Sequence, residues 1–323
     1  MPRFDLTLDD LRDYAPDVRE PADFDAFWQA TLDEAAGKPV LVEVRPVATG
    51  LRLVDTWDVT FAGFGGDPIR AWYHRPAGTV RELPAVVEYA GYGRGRGIPH
   101  ERLLWALTGY AHLVMDNRGQ DGFYGTGCET PDPRHTGLGG PGPATRGILA
   151  AGDYYYRRLI TDAVRAVEAV RALPGVDPAR VTVAGNSQGG GLALAVAGLV
   201  PGLAALITTA PFLCDVQHAL DLTDADPYGE IVRFLSLHRD AEATVRDTLS
   251  YVDGVSFARR AQAPAHFGIG LRDTVCPPRT AFAAYNRYGG TDRTMTTYAF
   301  NQHEGGEAYH VPGQLRWLSS MIS

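Results

Sequence analysis

One eleven-residue run constrains this chain more than any other. Val181 to Gly191 reads VTVAGNSQGGG, a β-branched strand running through Gly185-Asn186-Ser187-Gln188-Gly189 into an apolar helix at about 190–199. The pattern G-x-S-x-G between a strand and a helix demands a sharp turn that presents the Ser187 hydroxyl to a cleft. Gly185 and Gly189 lack a Cβ, so strand and helix can approach closely there. The N–H of Gln188 opens the helix and can point at a developing negative charge.

A serine hydroxyl keeps its proton at neutral pH, so it needs a base, and the base needs an orienting acid. With this turn the chain order is Ser, then Asp or Glu, then His. His303 follows the strand-like TTYAF in the Gly-flanked turn NQHEGG, which lets its ring reach back to the serine. His266 opens a strand, and His218 and His238 fall in a helical stretch. Asp273 follows the strand HFGIG at the edge where open α/β sheets hold ligands. Asp253 and Asp292 are weaker alternatives, and Asp273 has its own alternatives as a helix cap or a partner of Arg272. A second donor to an oxyanion is expected from the loop Ala90-Gly91-Tyr92-Gly93, with the Tyr92 N–H as the candidate. Arg118-Gly119-Gln120 follows the strand HLVMD. Arg118 there either binds an anionic substrate or braces the site loops against a carboxylate, and the bracing role is preferred.

The flanking sequence alternates strands and helices. A helix is expected at 23–36, a hairpin from strands at 51–61 and 69–74, and parallel strands at 84–89 and 112–115 with a helix at 101–108 between them. A long helix at 154–173 carries Leu159, Ile160, Ala163, Val164, Val167 and Val170 on one stripe. Residues 136–143 read as a Gly/Pro loop, and 296–300 as a last strand. The uncharged stretch 188–214 is long enough to suggest a membrane span, but Pro201-Gly202 divides it, and a buried helix, turn and strand explain it better. The simplest organisation is one domain over 1–323, with an N-terminal extension and hairpin at 1–80 and a helical insertion at about 215–258.

Composition narrows the function. A net charge of −8 over 323 residues argues against nucleic acid as the main partner. Three scattered cysteines suggest no disulfide framework and a reducing compartment, and the acidic N-terminus has no signal-peptide core. A cytoplasmic location is expected. No metal-ligand spacing occurs, since His303-Glu304 does not extend to H-E-x-x-H.

With these residues in view, the chain resembles carbohydrate esterase family 7, the acetyl xylan esterases and cephalosporin C deacetylases. The likeness runs nearly end to end through DFDAFW, VTFAGFGGDPIRAWYHRP, YAGYGRGRG, MDNRGQDG, GNSQGGG, LRDTVCPPRTAFAAYN and HEGG. The ordered trio RGQ, G-x-S-Q-G and HE is the family's hallmark. The resemblance implies an α/β-hydrolase fold, no cofactor, a Ser187-His303-Asp273 triad, and oxyanion donors at the N–H groups of Tyr92 and Gln188. It also implies small acetylated sugars or cephalosporin C as substrates and a homo-oligomer, commonly a hexamer. Another small-acyl esterase or an acyltransferase of the same fold is the alternative. Phe212, Tyr92 and Trp105 are the expected walls of a narrow acyl pocket.

Overall fold

The computed structural model describes residues 5–134 and 142–322. The antiparallel strands β1 (Leu41–Val47), β2 (Val54–Ala62) and β3 (Pro68–Pro76) form a meander. Six further strands run parallel to one another: β4 (Leu83–Tyr89), β5 (Ala111–Met115), β6 (Val176–Asn186), β7 (Ala205–Thr209), β8 (Ala265–Gly270) and β9 (Arg293–Tyr298). Across one sheet the order is β1-β2-β3-β5-β4-β6-β7-β8-β9, with β3 antiparallel to β5. The meander therefore extends the parallel sheet at one edge.

The helices are α1 (Leu8–Asp13), α2 (Phe24–Ala36), α3 (Leu104–Leu107), α4 (Tyr155–Ala172) and α5 (Gln188–Leu199), then α6 (Val216–Leu222), α7 (Tyr228–Leu237), α8 (Glu242–Ser250) and α9 (Gly254–Arg260), and finally α10 (Pro278–Arg287) and α11 (Glu307–Met321). Successive strand side chains point to opposite faces. Ala85 and Val87 of β4 join the core under α4 and α5, whereas Val86 joins Trp105 and Leu318 on the other face, under α3 and α11. All six apolar stripe positions of α4 are buried, and its Leu, Ile and Val side chains each contribute about 1.5–3 kcal/mol of hydrophobic burial. The uncharged stretch 188–214 resolves into buried α5, a turn and buried β7. Among the described residues no helix is long and apolar enough to cross a membrane. Between β7 and β8 the expected helical segment holds α6 to α9. α9 lies so close to α5 that a Cβ at Gly198 would sit 2.5 Å from the Phe257 carbonyl oxygen.

Two local expectations need correction, and two further elements have no clear sequence signal. The helix expected at 101–108 is helical only over α3, because Arg102 takes a left-handed φ of 47° and turns its guanidinium to Glu88 on β4. The last strand begins three residues earlier than read, at Arg293, where it pairs with Ala265. It ends at Tyr298, and the chain then folds over Gly270, where a Cβ would lie 2.1 Å from the Gln302 carbonyl oxygen. Strand β1 has no clear sequence signal, because Pro46 and its mostly exposed side chains hide an edge strand. α11 has none either, because Gly305, Gly306, Pro312 and Gly313 resemble loop sequence. The expected loop at 136–143 lies outside the described residues over 136–141, and Pro143–Thr145 forms a single 3₁₀ turn.

Candidate active site

β6 delivers Ser187 to the carboxyl edge of the sheet. Its φ of 59° and ψ of −122° are costly for a residue with a Cβ. Neighbouring backbone holds it there: its N–H donates to the Thr209 carbonyl at 2.9 Å, and its carbonyl accepts from Phe212 N at 3.0 Å. The flanking glycines are required by close approach. A Cβ at Gly185 would meet the Gly189 carbonyl carbon at 2.2 Å, and one at Gly189 would meet the Tyr89 oxygen at 2.0 Å.

Two other strand ends meet this serine. His303, on the loop after β9, places Nε2 2.8 Å from Ser187 Oγ and Nδ1 2.8 Å from Asp273 Oδ2. The left-handed Gly305 and Gly306 let that loop return to α11. Asp273, after β8, is fully buried. Its other oxygen accepts the N–H groups of Val275 and Cys276 at 2.8 and 2.9 Å, which fixes the carboxylate plane.

The alternative residues are engaged elsewhere. Asp253 caps α9 and accepts from Asp215, Val216 and Val255 N–H groups, and burial pushes its carboxyl up to about 6. Asp292 is exposed directly before β9. His218 contacts Asp215, His238 lies on Phe234, and His266 stacks on His310.

The Tyr92 and Gln188 N–H groups have no acceptor among the described residues. Gln120 ties the two segments that carry them. Its Oε1 accepts from Gly93 N at 2.6 Å, and its Nε2 donates to Gln188 Oε1 at 2.8 Å and to the Tyr155 hydroxyl at 3.0 Å. The Tyr156 hydroxyl also donates to Gln188 Oε1, at 3.0 Å.

Arg118 does not line the cavity. It is fully buried and binds Asp162 through two nitrogens at 2.5 and 2.7 Å, with Asp67 at 3.1 Å and Asp132 at 3.4 Å. Burial opposes its charge, but these carboxylates outweigh burial and raise its pKa. Gly119, at a φ of 60°, has no room for a Cβ, which would lie 2.6 Å from that of Asp132.

One contact has no local sequence signal. Glu230 on α7 accepts the Tyr92 hydroxyl proton with both oxygens at 2.7 Å, and Ala144 N donates to the same pair. Only the packing of the insertion over the loop brings it there.

The site opens into a cavity of about 760 Å³. Tyr92 and Trp105 line it as expected, together with Leu104, Ile207, Pro227 and Val275. Phe212 does not. It is buried behind the wall, against Tyr156 and Tyr228, because its backbone is spent on holding Ser187.

Comparison with known proteins agrees with this architecture. Residues 1–321 match the family described as Acetyl xylan esterase (AXE1). The acetyl xylan esterase from Paenibacillus sp. R4 is 37% identical with a TM-score of 0.92, over 98% of this chain and all of that one. Acetyl xylan esterase 1 from Thermoanaerobacterium sp. JW/SL YS485 is 30% identical with a TM-score of 0.90, over 99% and 100% of the two chains. The acetyl esterase Axe7A of Xylanibacter ruminicola is 29% identical over 316 residues, which are 95% of this chain and 69% of that protein. The chain therefore belongs to the acetyl xylan esterase family and is a carboxylic ester hydrolase of the α/β-hydrolase fold.

Proposed function

We propose that Ser187, His303 and Asp273 form a catalytic triad that removes acetyl groups from small acetylated substrates. The observation that carries this reading is the unbroken hydrogen-bonded chain from Asp273 through His303 to Ser187 at the floor of the cavity. His303 Nε2 takes the Ser187 proton as Oγ attacks the acetyl carbonyl carbon. Asp273 holds the Nδ1–H tautomer and stabilises the imidazolium. The carbonyl oxygen becomes an oxyanion facing the Tyr92 and Gln188 N–H groups. One such donor is worth about 10²–10³ in rate. The C–O bond to the leaving alcohol then breaks, and His303 returns the proton to that alcohol. Water, deprotonated by His303, attacks the acetyl-enzyme. Acetate leaves, and Ser187 regains its proton.

Acetylated xylo-oligosaccharides and cephalosporin C are the proposed substrates, and a cytoplasmic hexamer is the proposed working form. The family resemblance supports both. The reading is tested with p-nitrophenyl esters of increasing acyl length, with Ser187→Ala as control. A steep fall from acetate to butyrate, abolished in the variant, is expected. Preference for longer acyl chains would defeat the acetyl reading, and an active Ser187→Ala enzyme would defeat the mechanism.

A further inference from the structure

Six Asp, Glu, Arg and His side chains line the cavity: Glu88, Arg94, Arg102, Asp226, His303 and Glu304. Five are engaged. Glu88 pairs with Arg102 and accepts from His112 at 3.0 Å. Asp226 binds Arg233 at 2.6 Å. Glu304 accepts from Asn301 Nδ2 at 2.8 Å and Gln302 N at 3.0 Å. His303 lies between Ser187 and Asp273. Arg94 is different. Among the described residues its guanidinium makes no hydrogen bond or ion pair, although its carbonyl is pinned by Asn117 Nδ2 at 2.8 Å. The backbone is anchored and the charge is free.

The surroundings of Arg94 suit a sugar. Tyr124 lines the same cavity and is 52% exposed. Its ring packs on Gly93, where a Cβ would meet it at 2.7 Å, and the Arg94 stem packs on Gly125, where a Cβ would meet Cγ at 3.2 Å. An aromatic face and a cation are thus held side by side at the mouth. A second hollow of about 340 Å³ shares Arg94 and Arg102 with the first and continues along Gly95, Gly97 and Thr126. The carboxylate there, Glu101, already accepts the Thr126 hydroxyl at 2.9 Å. Overall the chain carries a charge of −8 and repels anions, so a free guanidinium at this mouth offsets that field locally.

We infer that this mouth is a leaving-group subsite for acetyl esters of carboxylate-bearing sugars. The sugar's C–H face lies on Tyr124, and its carboxylate meets the Arg94 fork. This rests on the deacetylase reading above and adds the acid to it.

The test uses two acetylated methyl glycosides that differ only at C6, hydroxymethyl in one and carboxylate in the other. In the wild type, kcat/KM is expected to favour the uronate by about fivefold, the scale of one partly exposed ion pair. Arg94→Gln should bring the ratio below one, Arg94→Lys should keep part of it, and about 0.5 M salt should shrink it in the wild type but not in Arg94→Gln. A ratio cancels the amount of folded enzyme, so a poorly folding variant cannot imitate the effect. A wild-type ratio at or below one, or one unchanged in Arg94→Gln, overturns the subsite while hydrolysis of the neutral ester leaves the deacetylase reading standing. Failure to cleave either ester overturns both.

Discussion

The Tyr92 phenol is gripped by both carboxylate oxygens of Glu230, each at 2.7 Å, across 138 residues of sequence. Burial and that carboxylate raise the phenol's pKa, so the hydroxyl stays a donor. The grip bears on the backbone N–H of Tyr92, since the same residue carries both. Glu230→Ala should therefore lower kcat on p-nitrophenyl acetate by about tenfold, with a smaller change in KM. Glu230→Gln keeps an acceptor and should recover most of the loss. Wild-type kcat in Glu230→Ala would detach α7 from the chemistry.

Asp273 shares its work between two oxygens, one facing the His303 ring and one facing two backbone N–H groups. In Asp273→Asn the amide cannot stabilise an imidazolium, and the side chain presents N–H to the ring or to the backbone donors. A fall of about 10³–10⁴ in kcat is expected from steady-state kinetics.

Arg118→Met leaves Asp162 buried with no cation at its side. Breaking a buried pair from one side costs about 3–5 kcal/mol, which predicts a melting temperature lower by about 10 °C. Arg118→Lys keeps the charge without the fork and should fall between. Thermal denaturation followed by circular dichroism makes the comparison, and an unchanged midpoint in Arg118→Met would contradict the bracing role.

His266 predicts how stability responds to acid. Burial, with a smaller contribution from His310, lowers its pKa from 6.5 to about 4. Between those values the unfolded chain binds a proton that the folded chain refuses. Stability therefore falls as pH drops through this window and levels off below it. His266→Asn keeps a polar partner for Thr294 but removes the proton difference. Its melting temperature should fall less steeply with acid over that window, by about the slope of one proton. Parallel curves for the two proteins would assign the acid sensitivity to other groups.

Parts of this molecule are plain in the sequence for physical reasons. β4, β7 and β8 are covered on both faces and read as short apolar runs, and α4 shows its stripe because one side faces the sheet. Ser187, Asp273 and His303 each stand just past a strand, so chain order alone suggested that they meet. β1 and α11 are hard to read because Pro46 sits inside the first, Pro312 and Gly313 inside the second, and little of either is buried. The Gln120–Gln188 and Tyr92–Glu230 contacts are hard to read for a different reason. A polar side chain does not advertise its partner, and these partners lie 68 and 138 residues away. Phe212 lies behind the wall and not in it, since nearness to Ser187 in sequence says nothing about which side of the wall a ring occupies.

The collision of any Cβ at Gly185 or Gly189 with neighbouring backbone divides this enzyme into a part that can be re-engineered and a part that cannot. No library at those positions should yield a working variant, whatever substrate is selected for. Leu104, Ile207, Pro227, Val275 and Val311 come from five separate segments and share only the cavity. A search for new ester preferences should vary those five together and leave the turn untouched.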